Sequence, residues 1–140
     1  TDRAAALIGL GASAIGQLPE GYVQNAVPFH TYGDAVAGGR LAVVRGFALH
    51  DEDRLRRHVI ERLMCDLEVD LAAACRQFGR TEGHFAAELD ILSGMAQDGM
   101  VDVAGTMVRI PAEARPLMRV VAAVFDAYLS QSGASHARAV

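Results

Sequence analysis

The chain has 140 residues, which favours one compact domain or a small domain with an appendage and is too short for a complete barrel enzyme. A hydrophobic share of 51% and a charged share of 21% exclude a disordered or fibrous chain, because there is enough apolar surface to build a core. A formal charge of −4 argues against a dedicated binder of nucleic acid or anionic membrane, since either needs a cationic surplus to displace counterions.

All 13 cationic residues are Arg, so every basic position carries a planar guanidinium suited to forked carboxylate or phosphate contacts, although genome composition produces the same bias. Cys65 and Cys75 are the only cysteines. Their apolar, helical surroundings suit buried thiols in a reducing compartment, and two thiols cannot hold a metal cluster alone. No apolar run approaches the roughly 18 residues that cross a bilayer, and the chain opens without a signal-peptide pattern, so a cytoplasmic protein is expected. The chain begins without Met and enters an apolar stretch almost at once, which predicts a fragment whose upstream part has been removed.

In chain order, LIGLGASAI (residues 7–15) reads as a Gly-rich strand whose backbone is approached closely by another group. After a turn at Pro19-Glu20-Gly21, residues 22–25 form a second short strand, and residues 28–37 a helix opened by Pro28 and stopped by Gly38-Gly39. Arg45-Gly46 closes this part. Asp51 then caps a helix whose apolar stripe is Leu55, Val59, Ile60, Leu63, Met64 and Leu67. Asp70 caps a second helix that stops at Gly79, and a third carries Phe85, Leu89, Leu92 and Ala96 to Gly99. Residues 100–103 and 107–110 make a hairpin around Ala104-Gly105, and a last long helix runs from after Pro111 to Gly133.

Three helices followed by a hairpin give the winged-helix pattern. The expected fold class is therefore mainly α with small β. It comprises an opening segment over 1–46, a winged-helix-like domain with a C-terminal helix over 47–132, and a frayed tail over 133–140.

Gly9-Leu10-Gly11-Ala12-Ser13-Ala14 fits the G-x-G-x-x-A form of a dinucleotide loop, but Gly16 and Pro19 interrupt the helix that must follow, which leaves a tightly packed strand or a strand edge against another adenosyl ligand. A DNA-reading helix over 83–98 would carry Glu88, Asp90 and Asp98 toward phosphates, so the wing is expected to pack on another domain. Arg54, Arg56, Arg57, His58 and Arg62 form the densest basic cluster; it suits a ligand with several carboxylates, or a solvated face balanced by Asp51, Glu52, Asp53 and Glu61. No set with the spacing of a nucleophilic triad or metal site is present, so no catalytic residue and no metal ligand is assigned.

Taken together, GLGASAIG (9–16), YVQN (22–25), RGFAL (45–49), RRHVIERLMC (56–65) and QDGMVDV (97–103) resemble the C-terminal part of oxygen-independent coproporphyrinogen III oxidases. The resemblance implies a radical S-adenosylmethionine enzyme of haem (porphyrin) biosynthesis that converts two propionates of coproporphyrinogen III to vinyls, giving protoporphyrinogen IX. It implies S-adenosylmethionine and a [4Fe–4S] cluster as cofactors, the cluster sitting on a C-x₃-C-x₂-C loop that this chain lacks. This chain would then be a substrate-covering portion, inactive alone, with residues 1–46 ending the upstream barrel of the same polypeptide.

The same resemblance places Ile15 against S-adenosylmethionine, with Gly11, Ser13 and Ala14 permitting the approach. The propionates make Arg57, and next to it Arg56, the candidate substrate anchors, at most one of which is expected to face the cavity. A monomer is expected, with no nucleic-acid or membrane partner. The alternatives are a free-standing winged-helix binding module and the C-terminal domain of a related radical haem chaperone.

Overall fold

The computed structural model of the chain describes residues 4–129, so the expected tail over 133–140 lies outside the described residues. The chain divides into two compact units between His50 and Asp51. Small sheets accompany a mainly helical second unit.

The first unit is a three-stranded antiparallel sheet in the order β1-β2-β3, made of β1 (Ile15–Leu18), β2 (Gly21–Asn25) and β3 (Val43–Ala48), with α1 (Phe29–Ala37) between β2 and β3. β1 and β2 form a hairpin turning at Pro19 and Glu20, as the turn residues require. Gly21 is obligatory there, because a Cβ would collide with the Phe47 carbonyl of β3. Pro28 precedes α1 in extended conformation, and the amides of Gly38 and Gly39 close its last turn on the Asp34 and Val36 carbonyls.

Two expectations fail here. Residues 7–14 are not a continuous strand: Leu7 makes an isolated bridge to Gln17, and the ladder begins only at Ile15. The backbone turns at Gly11 and Ser13, whose φ values of 103° and 61° no strand accommodates. The chain also does not close at Arg45-Gly46, since both lie inside β3. All six β3 residues are exposed, so the strand lacks the in–out alternation by which a half-buried strand announces itself.

The second unit holds the core. α2 (Asp51–Asp66) starts with three acidic residues on the positive end of its dipole and buries Leu55, Val59 and Leu63 completely. β4 (Glu68–Asp70) follows, then α3 (Leu71–Gln77), a 3₁₀ turn (Glu82–Phe85), α4 (Ala86–Gln97), and the hairpin β5 (Asp102–Ala104) and β6 (Met107–Arg109). β4 adds to the hairpin in the order β4-β6-β5, with Val69 opposite Val108. The Asp70 side chain accepts the Ala72 amide at 3.0 Å and caps α3. Phe85, Leu92, Val101, Val121 and Phe125 close the core with the α2 stripe.

The long last helix is not formed. A 3₁₀ segment (Ala112–Leu117) containing Pro116 leads into α5 (Met118–Ala123), only six residues long. Pro116 brings no amide to a helix ladder. Beyond α5 the Phe125 carbonyl accepts from Arg56, and Asp126 Oδ1 accepts the Tyr128 amide at 2.9 Å.

Candidate functional site

Gly11, Ser13, Ala14 and Ile15 come together in the first unit as one loop running into β1. The Asn25 side-chain amide donates to the Gly9 and Gly11 carbonyls, each at 3.0 Å, and the Gly11 amide donates to the Tyr32 hydroxyl at 3.1 Å. The Ser13 amide reaches the Ala26 carbonyl, and the Asn25 amide the Ala14 carbonyl. Gly11 is needed for its φ of 103°, and Ser13 takes a left-handed φ because its neighbours are tied on both sides. Asn25 and Tyr32 are the positioning residues that the Gly-rich motif alone does not reveal, since they come from β2 and α1.

This scaffold leaves Ile15 58% exposed beside a shallow depression of about 270 Å³. A branched apolar side chain on a fixed backbone, with no packing demand of its own, fits the face of an adenine ring. The opposite side of the sheet forms a larger apolar hollow of about 670 Å³, whose walls include Leu7, Leu10, Leu18, Val23 and Leu41. Leu10 and Leu41 are 85% and 90% exposed.

Arg56 and Arg57 lie on α2 in the second unit. Arg56 is engaged within that unit: Nε donates to Glu52 Oε1 at 2.6 Å, Nη2 pairs with Glu88 at 2.8 Å, and Nη1 donates to the Phe125 carbonyl at 3.2 Å. Burial pushes its pKa down, but both carboxylates more than restore it, and the net shift is upward. Glu52 also takes His84 Nε2 at 2.9 Å. Burial raises the Glu52 carboxyl, yet His84 and Arg56 outweigh it and hold it below its ordinary value. Arg57 is half-buried, one position round the helix. The other cations of the cluster are paired as solvated-face residues are, Arg54 with Asp51 and Arg62 with Asp66.

The two thiols are free, Cys75 fully buried in α3 and Cys65 half-buried in α2. Burial raises the Cys75 thiol pKa, which suits an inert core residue. Two such thiols do not fit a [4Fe–4S] cluster, and among the described residues no group of three or more His, Cys, Asp or Glu could hold a metal ion. No helix among the described residues is long and apolar enough to cross a membrane.

No protein-family model matches the chain. Among curated proteins, it is 41% identical over 140 residues to the oxygen-independent coproporphyrinogen III oxidase of Bradyrhizobium diazoefficiens, covering 100% of this chain and 31% of that protein. It is 36% identical over 126 residues to the enzyme of the same name from Escherichia coli, covering 89% of this chain and 28% of that one. Among solved structures it is similar to coproporphyrinogen III oxidase from Escherichia coli, described as a radical SAM enzyme, with a TM-score of 0.80 and 34% identity over 89% of this chain and 29% of that one. The chain thus spans about three-tenths of the length of these relatives.

Proposed function

We propose that the chain, 41% identical along its whole length to an oxygen-independent coproporphyrinogen III oxidase, is the C-terminal, substrate-covering portion of such an enzyme. The observation that carries this reading is a match over 100% of the chain to 31% of a relative's length. The first unit supports it, because Leu10, Leu41 and the 670 Å³ hollow suit burial against the rest of a longer polypeptide. In the second unit, α2-β4-α3-α4-β5-β6 with β4 on the hairpin supports the winged-helix reading.

In the complete enzyme, S-adenosylmethionine and a [4Fe–4S] cluster held outside this chain would supply radical chemistry for the oxidation of coproporphyrinogen III propionates. Ile15 packs on the adenosyl group, and the loop through Gly11, Ser13 and Ala14 keeps that contact in place. Excluding water and stray hydrogen donors from the radical is the work of a portion without catalytic groups. Arg57, on α2 in the second unit, is the propionate anchor, its guanidinium being suited to a forked carboxylate contact. The whole acts in the cytoplasm as a monomer, with no nucleic-acid or membrane partner.

Expressing the chain continuously with its upstream barrel and assaying anaerobic decarboxylation of coproporphyrinogen III tests this. Protoporphyrinogen IX is expected from the joined protein and none from the chain alone. A native start codon immediately before Thr1, or an iron-loaded joined protein that forms no product, overturns it and favours a free-standing winged-helix module.

A further inference from the structure

The Ile15 face of the first sheet carries polar chemistry that an adenosyl contact does not use. In register, Ile15 lies opposite Gln24 and Gln24 opposite Arg45, so the three stand abreast on three strands, with Gln17, Tyr22 and Phe47 as the next row. Strand spacing of about 4.8 Å puts the Ile15 and Arg45 backbones about 10 Å apart. Ile15, Tyr22, Gln24, Arg45 and Phe47 all line the depression of about 270 Å³.

Arg45 is exposed, and among the described residues it has neither an acidic partner nor a side-chain hydrogen bond, whereas Arg54, Arg56, Arg62, Arg76 and Arg109 each hold a carboxylate. Phe47 is 45% exposed beside it, and the Gln24 side-chain amide donates to the Ser13 carbonyl at a long 3.5 Å. A guanidinium without a counter-charge, an amide and two aromatic rings on one concave face match a ligand with both a ring surface and a carboxylate.

We propose that Arg45 is a carboxylate-binding residue for the substrate, holding a propionate arm with Gln24 beside it and the pyrrole that bears the arm against Tyr22 and Phe47. The inference rests on the reading of this chain as part of a coproporphyrinogen III oxidase. A bidentate guanidinium stabilises the ionised carboxylate it holds and so opposes its loss as carbon dioxide. The arm bound by Arg45 is therefore one that the reaction retains, while the reacting arm lies toward Ile15.

The test uses the full-length enzyme and reads coproporphyrinogen III affinity and S-adenosylmethionine affinity separately for Arg45→Gln, Arg45→Ala and Arg45→Lys. Arg45→Gln and Arg45→Ala should weaken substrate binding at least tenfold with S-adenosylmethionine affinity within twofold of wild type, and Arg45→Lys should lie between. Wild-type substrate affinity in Arg45→Gln and Arg45→Ala overturns the assignment and leaves the proposed function standing. Parallel loss of both affinities in all three variants makes Arg45 a structural residue and overturns it as well. A wild-type enzyme that binds no coproporphyrinogen III removes the proposed function, and this inference with it.

Discussion

The Arg56 guanidinium lies over the Phe85 ring, its central carbon 5.3 Å from the ring centroid. Phe85 in turn meets Phe125 edge-on at 5.3 Å, so one cation and two aromatic rings join α2, the turn before α4 and the segment after α5. Truncating Arg56 would leave Glu52 and Glu88 without their shared counter-charge and take the Arg56 hydrogen bond from the Phe125 carbonyl. Arg56→Ala should destabilise the second unit by about 2–3 kcal/mol, and Arg56→Lys should restore only part because an ammonium cannot fork to both carboxylates. Urea unfolding checks this through the midpoint at unchanged slope.

Asn25 determines the shape of the loop that presents Ile15. Asn25→Ala removes two hydrogen bonds to backbone carbonyls, for a loss of about 1–3 kcal/mol, and Asn25→Asp should cost more because a carboxylate would face two acceptors. In the full-length enzyme both variants should weaken S-adenosylmethionine binding. Ile15→Asp should weaken it with the fold intact, since a carboxylate would meet an apolar ring face. Equilibrium binding of S-adenosylmethionine, alongside circular dichroism, separates the two effects; unchanged affinity in Ile15→Asp removes that residue from the site.

Arg57→Ala in the full-length enzyme should weaken substrate binding at least tenfold, on the order of 1.5–3 kcal/mol for a lost charged hydrogen-bond pair, with Arg57→Lys recovering part. Reductive cleavage of S-adenosylmethionine, followed separately, should be unaffected. Wild-type substrate affinity in Arg57→Ala returns this residue to a solvated helix face.

His58 stacks at a tilt on Phe78, with centroids 5.5 Å apart. Burial pulls its pKa below 6.5, Arg62 adds to the fall, and Glu61 opposes it. The folded state therefore favours neutral imidazole, and the unfolded chain binds more protons as the pH drops. The resulting stability is fully present above about pH 6.5 and declines as pH falls from there toward the folded pKa. His58→Phe should flatten that decline in thermal unfolding between about pH 5 and 7; an unchanged slope would show that His58 does not contribute to it.

Several features were legible in the sequence because they depend on residues within one or two turns of each other. The Leu55, Val59 and Leu63 stripe follows from helical periodicity, and the Asp70 cap needs only an amide two residues away. The β5–β6 hairpin was expected from its own turn, which the structure places at Gly105-Thr106 with Ala104 the last residue of β5. The order and spacing of five short motifs likewise sufficed to identify the relatives, since that information is linear.

Tertiary structure decided what depends on distant partners. β4 has three residues and exists because Val69 meets Val108, a pairing that no local pattern encodes. β3 is exposed throughout, and only the ladder to β2 makes it a strand and brings Arg45 abreast of Ile15. That Arg56 is taken up inside its own unit likewise turned on Glu88 and the Phe125 carbonyl, the latter 69 residues away. A guanidinium reads the same in any helix, and its availability depends on which acceptors the packing of other elements brings within about 3 Å of it.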